Sequence, residues 1–313
     1  MKQTCVPLFL APMAGAGDRA FREVCAPFGV DGFTSEMISA KAVTFGDRNS
    51  FALAEHGDGE APFLIQLFGS EPETVARAAR ALIARVPCDG IDLNFGCPVP
   101  KITKNGEGSA LMRDPEKCRA IVAAVKEAIP LPVTVKTRVG WDASSLNAVE
   151  VALACQAGGA DRLTVHGRTK ADLYREGTVR PEEIRKVVKA VSIPVIANGD
   201  VRDGNSAREL LTATGAAGLA IGRGALGRPW VFAEIRAALA GEAPPEVDKR
   251  SVMRRHVALA FQYKPVAAAG ELRTHMAHYL RGFRGAAALR GAVSAASTPA
   301  DYENIIAQLP SDF

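Results

Sequence analysis

Three side chains with reactive chemistry follow short apolar segments of the sequence. PVTVK ends in Lys136, RLTVH ends in His166, and Cys97 lies between NFG and Pro98. A lysine in such a place can form a Schiff base, bind phosphate or put a cation beside a developing anion. His166 is either an active-site residue or a hydrogen-bonded structural histidine. The residue types alone leave the reaction open.

Other apolar segments also end in polar residues or glycine. These segment ends are Pro12-Met13-Ala14, Glu36, Gln66, Asn94, Lys136 with Arg138, His166 with Arg168, Asn198, and Gly222-Arg223. A segment that served only the core would end in apolar or neutral residues. The loop after Asn94 contains Cys97, Lys101, Lys104 and the segment GEGS. This distribution favours an enzyme.

The elements that must position these residues recur along the chain. Eight short apolar segments, starting near Pro7 and ending near Gly222, follow one another at intervals of about 30 residues, the length of a βα unit. Helical patterns lie between them, with the clearest over 71–86 and 115–129. We therefore predict an α/β protein with a (β/α)8 TIM barrel over residues 1–240. Active sites of such barrels lie at the carboxyl ends of the strands.

Two glycine patterns suggest a different fold when taken alone. Gly15–Ala20 matches G-x-G-x-x-A and Gly222–Gly227 matches G-x-G-x-x-G, both typical of Rossmann dinucleotide-binding units. The eightfold recurrence disfavours a doubly wound sheet. Phosphate sites in barrels lie in the last two βα loops, here Asn198-Gly199-Asp200 and Gly222-Arg223. We expect a phosphate there, the alternative being glycines that serve only tight turns.

The composition is that of a globular protein. The chain has 313 residues, 48% hydrophobic and 23% charged, with a net charge of +4, which excludes disordered and fibrous classes. The six cysteines form no C-x-x-C pair and have no paired histidines nearby, so we expect reduced thiols, no metal and a cytoplasmic protein. No segment has the length of a membrane helix. Pro7 and Pro12 interrupt the apolar N-terminus, which disfavours a signal peptide.

The C-terminal segment differs from the barrel. GEAPPE lies in a predicted linker over 241–248, and residues 249–313 have helical patterns only. Glu271 is the one acidic residue between positions 249 and 290, whereas nine basic residues lie there: Lys249, Arg250, Arg254, Arg255, Lys264, Arg273, Arg281, Arg284 and Arg290. Clustered positive charge with interleaved aromatic residues is typical of nucleic-acid binding. We predict a small helical domain that binds a nucleic acid.

Seven segments together resemble the flavin-dependent tRNA-dihydrouridine synthases, and within them the bacterial dihydrouridine synthase B type. They are PMAG, NFGCP, KNGEGSALM, TVKTRVGW, TVHGRT, IPVIANGD and IGRGALGRPW, and the C-terminal RTHMAHYLRGF extends the match to nearly the whole chain. The resemblance implies FMN as cofactor, NADPH as reductant and a uridine in the tRNA D-loop as substrate. It places tRNA binding in residues 249–313.

The resemblance also implies roles for individual residues. Cys97 would donate the proton. The FMN-binding residues would be Pro12, Met13, Ala14, Gln66, Lys136, His166, Asn198, Gly199, Asp200, Gly222 and Arg223. The residues expected near the substrate or tRNA are Asn94, Lys101, Lys104, Arg138, Arg168, Arg273, Arg281, Arg284 and Arg290. We expect a monomer without a membrane partner.

Two alternatives stay open. One is a small-molecule flavin oxidoreductase of the dihydroorotate or dihydropyrimidine dehydrogenase type on the same barrel. The basic C-terminal segment disfavours it. The other is an RNA-binding protein that has lost catalysis, which the presence of Cys97 and Lys136 disfavours.

Overall fold

The structure, a computed structural model, describes residues 6–282 and 285–310. Its strands are β1 (Leu8–Leu10), β2 (Phe33–Thr34), β3 (Ile38–Ser39), β4 (Phe63–Phe68), β5 (Gly90–Phe95), β6 (Val133–Arg138), β7 (Arg162–His166), β8 (Val195–Asn198) and β9 (Gly218–Ile221). All pair in parallel, in the order β1-β9-β8-β7-β6-β5-β4-β2, and β3 also pairs with β4. The amide of Leu10 donates to Gly32 O (3.1 Å), which joins the first strand to the second and closes the barrel.

The predicted (β/α)8 barrel is confirmed, and the Rossmann interpretation of the glycine patterns is wrong because the sheet closes on itself. The eight predicted strand segments all contain strands, with one difference. The second barrel strand is divided into β2 and β3, with Ser35 and Glu36 between them. The hydroxyl of Ser35 donates to Glu36 O (2.8 Å) and accepts from Gln66 N (2.9 Å), so the interruption is held by hydrogen bonds to β4.

The helices in the barrel region follow the strands in the expected alternation. They are α1 (Arg19–Cys25), α2 (Ala40–Thr44), α3 (Arg48–Ala52), α4 (Pro72–Ile83), α5 (Pro100–Thr103), α6 (Pro115–Ala128), α7 (Ala148–Ala157), α8 (Pro181–Ala190), α9 (Gly204–Thr214) and α10 (Val231–Ala240). The two clearest helical patterns correspond to α4 and α6. Asp18, Asp114 and Asp203 cap the N-termini of α1, α6 and α9 with their carboxylates, which satisfies amides that have no partner within a helix.

Four further helices follow the barrel: α11 (Lys249–Tyr263), α12 (Ala268–Tyr279), α13 (Ala286–Ala295) and α14 (Pro299–Ala307). They share a second apolar core that includes Met253, Met276 and Tyr302. Ala20 of α1 and Trp230 of the barrel belong to this same core. The C-terminal helices are therefore packed against the barrel. Within the ranges that the structure describes, no helix is long and apolar enough to cross a membrane.

A buried ion pair fixes the loop between β1 and α1. The side chains of Arg22 and Glu60 are 1% and 0% exposed and form a salt bridge. Arg22 also donates to Gly17 O (3.0 Å) and to Glu55 O (2.6 Å), and Glu60 accepts from Gly57 N (3.0 Å). Because both charges are removed from water, loss of one partner leaves an uncompensated buried charge.

We expect Arg22→Ala to lower the free energy of unfolding by about 3–5 kcal/mol, because Glu60 would keep a buried charge without its partner. The control is Arg254→Ala, which removes an exposed ion pair with Glu303 and should lower the free energy of unfolding much less, because water screens an exposed pair. Urea unfolding followed by circular dichroism measures both. Equal losses in the two variants would show that the buried pair has no special role.

Candidate active site

A cavity of about 1120 Å³ opens at the carboxyl ends of the barrel strands. It brings together most of the residues that the sequence analysis singled out: Pro12, Met13, Ala14, Gln66, Asn94, Cys97, Lys136, Arg138, His166, Arg168, Asn198, Gly199, Asp200, Gly222, Arg223 and Arg281. The parallel strands end at one rim, so their terminal side chains meet there.

The remaining predicted residues lie elsewhere. Lys101 and Lys104, in and just after the short helix α5, are exposed and do not line the cavity. Arg273 and Arg290 are exposed on α12 and α13. Arg290 donates to Leu280 O (3.3 Å). Arg284 lies outside the described residues.

A chain of hydrogen bonds connects the barrel interior to the loop that contains Cys97. Asp92 accepts from the amide of Gln66 (2.6 Å), whose oxygen accepts from Asn94 Nδ2 (2.9 Å). Asn94 Oδ1 in turn accepts from the backbone amide of Cys97 (2.9 Å). The two amide side chains are thereby fixed in orientation, and the backbone at Cys97 is held toward the cavity.

The loop at Cys97 is held from its other side by Ser109. The carbonyl of Cys97 accepts from Ser109 N (3.0 Å) and Ser109 Oγ (2.9 Å). Gly108 precedes Ser109 with φ +59°, and a Cβ there would lie 2.9 Å from Cys97 O. Burial is the main cause that raises the pKa of the Cys97 thiol. At neutral pH Cys97 is therefore a protonated thiol with a proton to give.

Lys136 is a cation at the mouth of the barrel. Within the described chain its ammonium group makes no hydrogen bond or ion pair. Removal from water lowers its pKa to about 8, with repulsion from Arg138 acting in the same direction and Asp92 partly opposing both. A lysine in this state can place a positive charge, or a proton, against a ligand in the cavity.

His166 is buried at the end of β7 and surrounded by positive charge. Burial, followed by Lys136, Arg138 and other nearby arginines, holds its pKa well below the usual value. The imidazole is therefore neutral at neutral pH. Its Nε2 lies 3.3 Å from a guanidinium nitrogen of Arg168, which can only donate, so Nε2 is the acceptor.

The two loops predicted to bind phosphate lie side by side. Asp200 has a left-handed backbone (φ +49°), and its carboxylate binds Arg168 (2.5 Å) and Arg223 (3.0 Å). Arg223 also begins a short 3-10 turn after Gly222. A phosphate could accept hydrogen bonds here from the N-terminal amides of the turn and from the Arg223 guanidinium. The glycines allow a phosphate to approach the backbone closely.

Arg138 and Arg168, expected near the substrate or tRNA, line the cavity but are almost fully buried. They are 2% and 0% exposed. Arg138 donates to Gly96 O, Thr169 O and Leu173 O at 2.8–2.9 Å, and Arg168 donates to Arg175 O (2.8 Å) besides its pair with Asp200. Most of their donors are thus used to fasten the loops after β5, β7 and β8. Their charge faces the cavity, but neither side chain reaches the outer surface.

Sequence reasoning missed several residues of the cavity wall. The ring of Tyr174 lies 5.3 Å from the guanidinium carbon of Arg138 and 5.5 Å from that of Arg223, in the loop after β7. Trp230, His278 and Tyr279 also line the cavity, the last two from α12. Only the aromatic interleaving of the C-terminal segment hinted at Tyr279. Tyr174 had no local signal, because it lies eight positions beyond the strand end at His166.

The last glycine of the G-x-G-x-x-G pattern explains why α12 can reach the cavity. Gly227 has φ +70°, and a Cβ there would lie 2.4 Å from the carbonyl carbon of His278. Only a glycine allows the barrel loop and the end of α12 to approach so closely. The pattern is thus used for close packing between the barrel and the C-terminal helices.

The donor set of the cavity fits FMN. The phosphate-type groups lie at Gly222 and Arg223, and the deeper end presents an amide (Gln66), a cation (Lys136) and a neutral imidazole (His166). These groups can form hydrogen bonds with the carbonyl oxygens and ring nitrogens of a polar aromatic ring system. The cavity volume of about 1120 Å³ slightly exceeds the range of about 300–1,000 Å³ that is usual for small-molecule sites.

Comparison with known proteins finds a family profile and relatives that carry the same family name. A family profile described as dihydrouridine synthase (Dus) matches residues 9–311. The tRNA-dihydrouridine synthase B of Pseudomonas syringae pv. tomato is 39% identical over 288 residues, covering 90% of this chain and 85% of that protein. A probable tRNA-dihydrouridine synthase of Rhodobacter capsulatus is 42% identical over 246 residues, covering 78% and 75%.

Among solved structures, an (S)-mandelate dehydrogenase matches with a TM-score of 0.50 and 19% identity, covering 75% of this chain and 73% of that one. At this identity the match speaks only for the shared barrel fold. The family profile spans both the barrel and the C-terminal helices, and the relatives cover most of the chain. The chain belongs to the dihydrouridine synthase family.

Proposed function

We propose that this protein reduces uridine to 5,6-dihydrouridine in the D-loop of tRNA, with FMN as cofactor and NADPH as reductant. The observation that supports this most directly is one cavity that joins a protonated thiol (Cys97), a half-buried cation (Lys136) and a phosphate-type loop (Gly222-Arg223). The family membership supplies the substrate class and the redox chemistry.

FMN would be held along the barrel rim. Pro12, Met13 and Ala14 would lie against its ring, and Gln66, Lys136 and His166 would face the ring's polar edge. Asn198, Gly199, Asp200, Gly222 and Arg223 would surround its phosphate. When bound, the flavin would supply the hydride that is added to uracil C6.

Cys97 would complete the reduction by protonating uracil C5. Hydride addition at C6 leaves negative charge at C5 and on the adjacent carbonyl, so a proton must arrive on that side. The raised pKa of the half-buried Cys97 thiol keeps that proton in place until the charge develops. Asn94 would orient the Cys97 loop through its hydrogen bond to the Cys97 amide.

The C-terminal helices would present the tRNA to the barrel. Arg281, His278 and Tyr279 lie on the cavity wall, so a nucleotide that leaves its stack would pass between them and the barrel loops. Residues 249–313 would thus act as a tRNA-binding domain joined to the catalytic barrel (1–240) by the segment 241–248. A cavity wall built from both parts favours this reading over a small-molecule flavin oxidoreductase.

The affinity for FMN should depend on pH through Lys136. Its pKa of about 8 means that the ammonium is charged below that pH and neutral above it. The charged ammonium binds the carbonyl oxygens at the polar edge of the flavin ring better than the neutral amine does, so Kd for FMN should rise as the pH increases through about 8, by up to about tenfold per pH unit. Fluorescence titration of flavin-free protein measures this, and in Lys136→Met the rise should disappear. The same rise in both proteins would exclude Lys136 as its cause.

Replacement of Cys97 should separate cofactor binding from uridine reduction. We expect Cys97→Ala to bind FMN and accept reducing equivalents from NADPH as the wild type does. Its rate of dihydrouridine formation on unmodified tRNA, measured by mass spectrometry, should fall by about 10²–10⁴, the loss typical of one general acid. The control is Cys88→Ala, a thiol outside the cavity. Wild-type turnover in Cys97→Ala would contradict the assignment, and lost flavin would place Cys97 in the cofactor site.

Arg281 should contribute to tRNA affinity through charge. We expect Arg281→Gln to weaken tRNA binding at low salt and to lower the slope of log K against log salt by about 1, as loss of one phosphate contact requires. Arg254→Gln is the matched control, since Arg254 is paired with Glu303 on another surface. If both variants bound tRNA equally, Arg281 would not contact it.

A further inference from the structure

Three metal-ligating side chains meet where the barrel contacts the C-terminal helices. They are Asp18, at the N-terminus of α1, His256 of α11 and His275 of α12. One potential ligand atom from each lies within 4.8 Å of the others. All three are buried, with 8%, 1% and 2% of their surfaces exposed. None of them lines the cavity described above.

The hydrogen bonds of Asp18, His256 and His275 do not explain why the three side chains lie so close together. Asp18 Oδ1 accepts from Phe21 N (3.0 Å), and His256 Nδ1 lies 3.2 Å from the hydroxyl of Tyr279. His275 Nδ1 is buried without a partner. Across the described ranges, no hydrogen bond joins either imidazole to Asp18. A buried imidazole nitrogen without a partner costs free energy, so a further ligand is expected.

The spacing allows the three groups to surround a common centre. Ligand atoms about 2.0 Å from a tetrahedral ion are separated by about 3.3 Å, which lies within the limit observed here. The ring centroids of His256 and His275 lie 4.5 Å apart.

The charged side chains around Asp18, His256 and His275 favour the binding of a cation. Lys264 lies 3.7 Å from Asp18 Oδ2, but its ammonium group binds both carboxylate oxygens of Glu271 at 2.9–3.0 Å. One ammonium group thus faces two carboxylates, so Lys264, Glu271 and Asp18 together carry one net negative charge beside the two imidazoles. Glu36 also lies near Lys264 and adds negative potential.

We propose that Asp18, His256 and His275 form a binding site for a divalent transition-metal ion of the zinc type. Two imidazole nitrogens and one carboxylate oxygen are a common ligand set for such an ion. The ion would join α1, directly after the loop that includes Met13 and Gly17, to both α11 and α12. It would thereby fix the C-terminal helices to the barrel. The proposal does not rest on the proposed reaction.

The test is zinc binding by the full-length flavin-loaded protein. Protein without a histidine tag is freed of metal with a chelator, dialysed against Zn²⁺, and its zinc content and melting temperature are measured. We expect one tightly held zinc per chain and a higher melting temperature with zinc. All variants are made in a Cys97→Ala background, which removes the cavity thiol as a competing ligand.

Two variants remove ligands in different ways. Asp18→Asn keeps a good N-cap for α1, and His275→Gln keeps a polar side chain. Loss of a residue that only hydrogen-bonds to a metal ligand weakens metal binding by roughly 10- to 100-fold. Each variant removes a ligand itself and should therefore weaken zinc binding by more than that. Zinc should also no longer raise the melting temperature of either variant. His56→Gln, whose ring contacts Gly57 O and Pro87 O, is the control and should bind zinc normally. The proposal is wrong if the parent protein retains no more zinc than Asp18→Asn does. It is also wrong if Asp18→Asn and His275→Gln bind zinc as tightly as the parent.

Discussion

The side chains at the mouth of the barrel depend on the hydrogen bonds and the charge of the buried Asp92 carboxylate. Both of its oxygens accept hydrogen bonds, from Gln66 and Thr134, which favours the ionised form even though burial raises its pKa. Its negative charge partly offsets the cost of keeping Lys136 charged nearby. The same carboxylate orients Gln66, which orients Asn94, which holds the Cys97 loop. One charge in the barrel interior thus connects the predicted flavin side of the cavity to the predicted proton donor.

The C-terminal helices share this organisation because they form part of the same wall. Gly227 lets the barrel approach α12, and Tyr279 contributes both to the second core and to the cavity. A substrate that contacts the helices is thereby presented to the strand ends. Under the proposed function, the position of α11 and α12 on the barrel would determine which nucleotide reaches Cys97.

Much of this could be predicted from the sequence, for physical reasons. Buried parallel strands are apolar along their length, so their spacing predicted the barrel, and the polar residues at strand ends predicted the rim. Asp92 was missed because it lies in the middle of GIDLN, where a polar residue gives no sign of facing the interior. The hydrogen bonds of Arg138 and Arg168 to backbone carbonyls could not be predicted, because a sequence does not show which groups a guanidinium binds. The cluster of Asp18, His256 and His275 was invisible, because its members come from three helices with no local spacing.

The reaction proposed for this chain is the formation of dihydrouridine in tRNA. The most direct test is to map dihydrouridine by mass spectrometry in tRNA from a strain that lacks the gene, and again after complementation. We predict that dihydrouridine disappears from one or more defined D-loop positions, returns with the wild-type gene, and does not return with the Cys97→Ala variant. An unchanged dihydrouridine map in the deletion strain would contradict the claim.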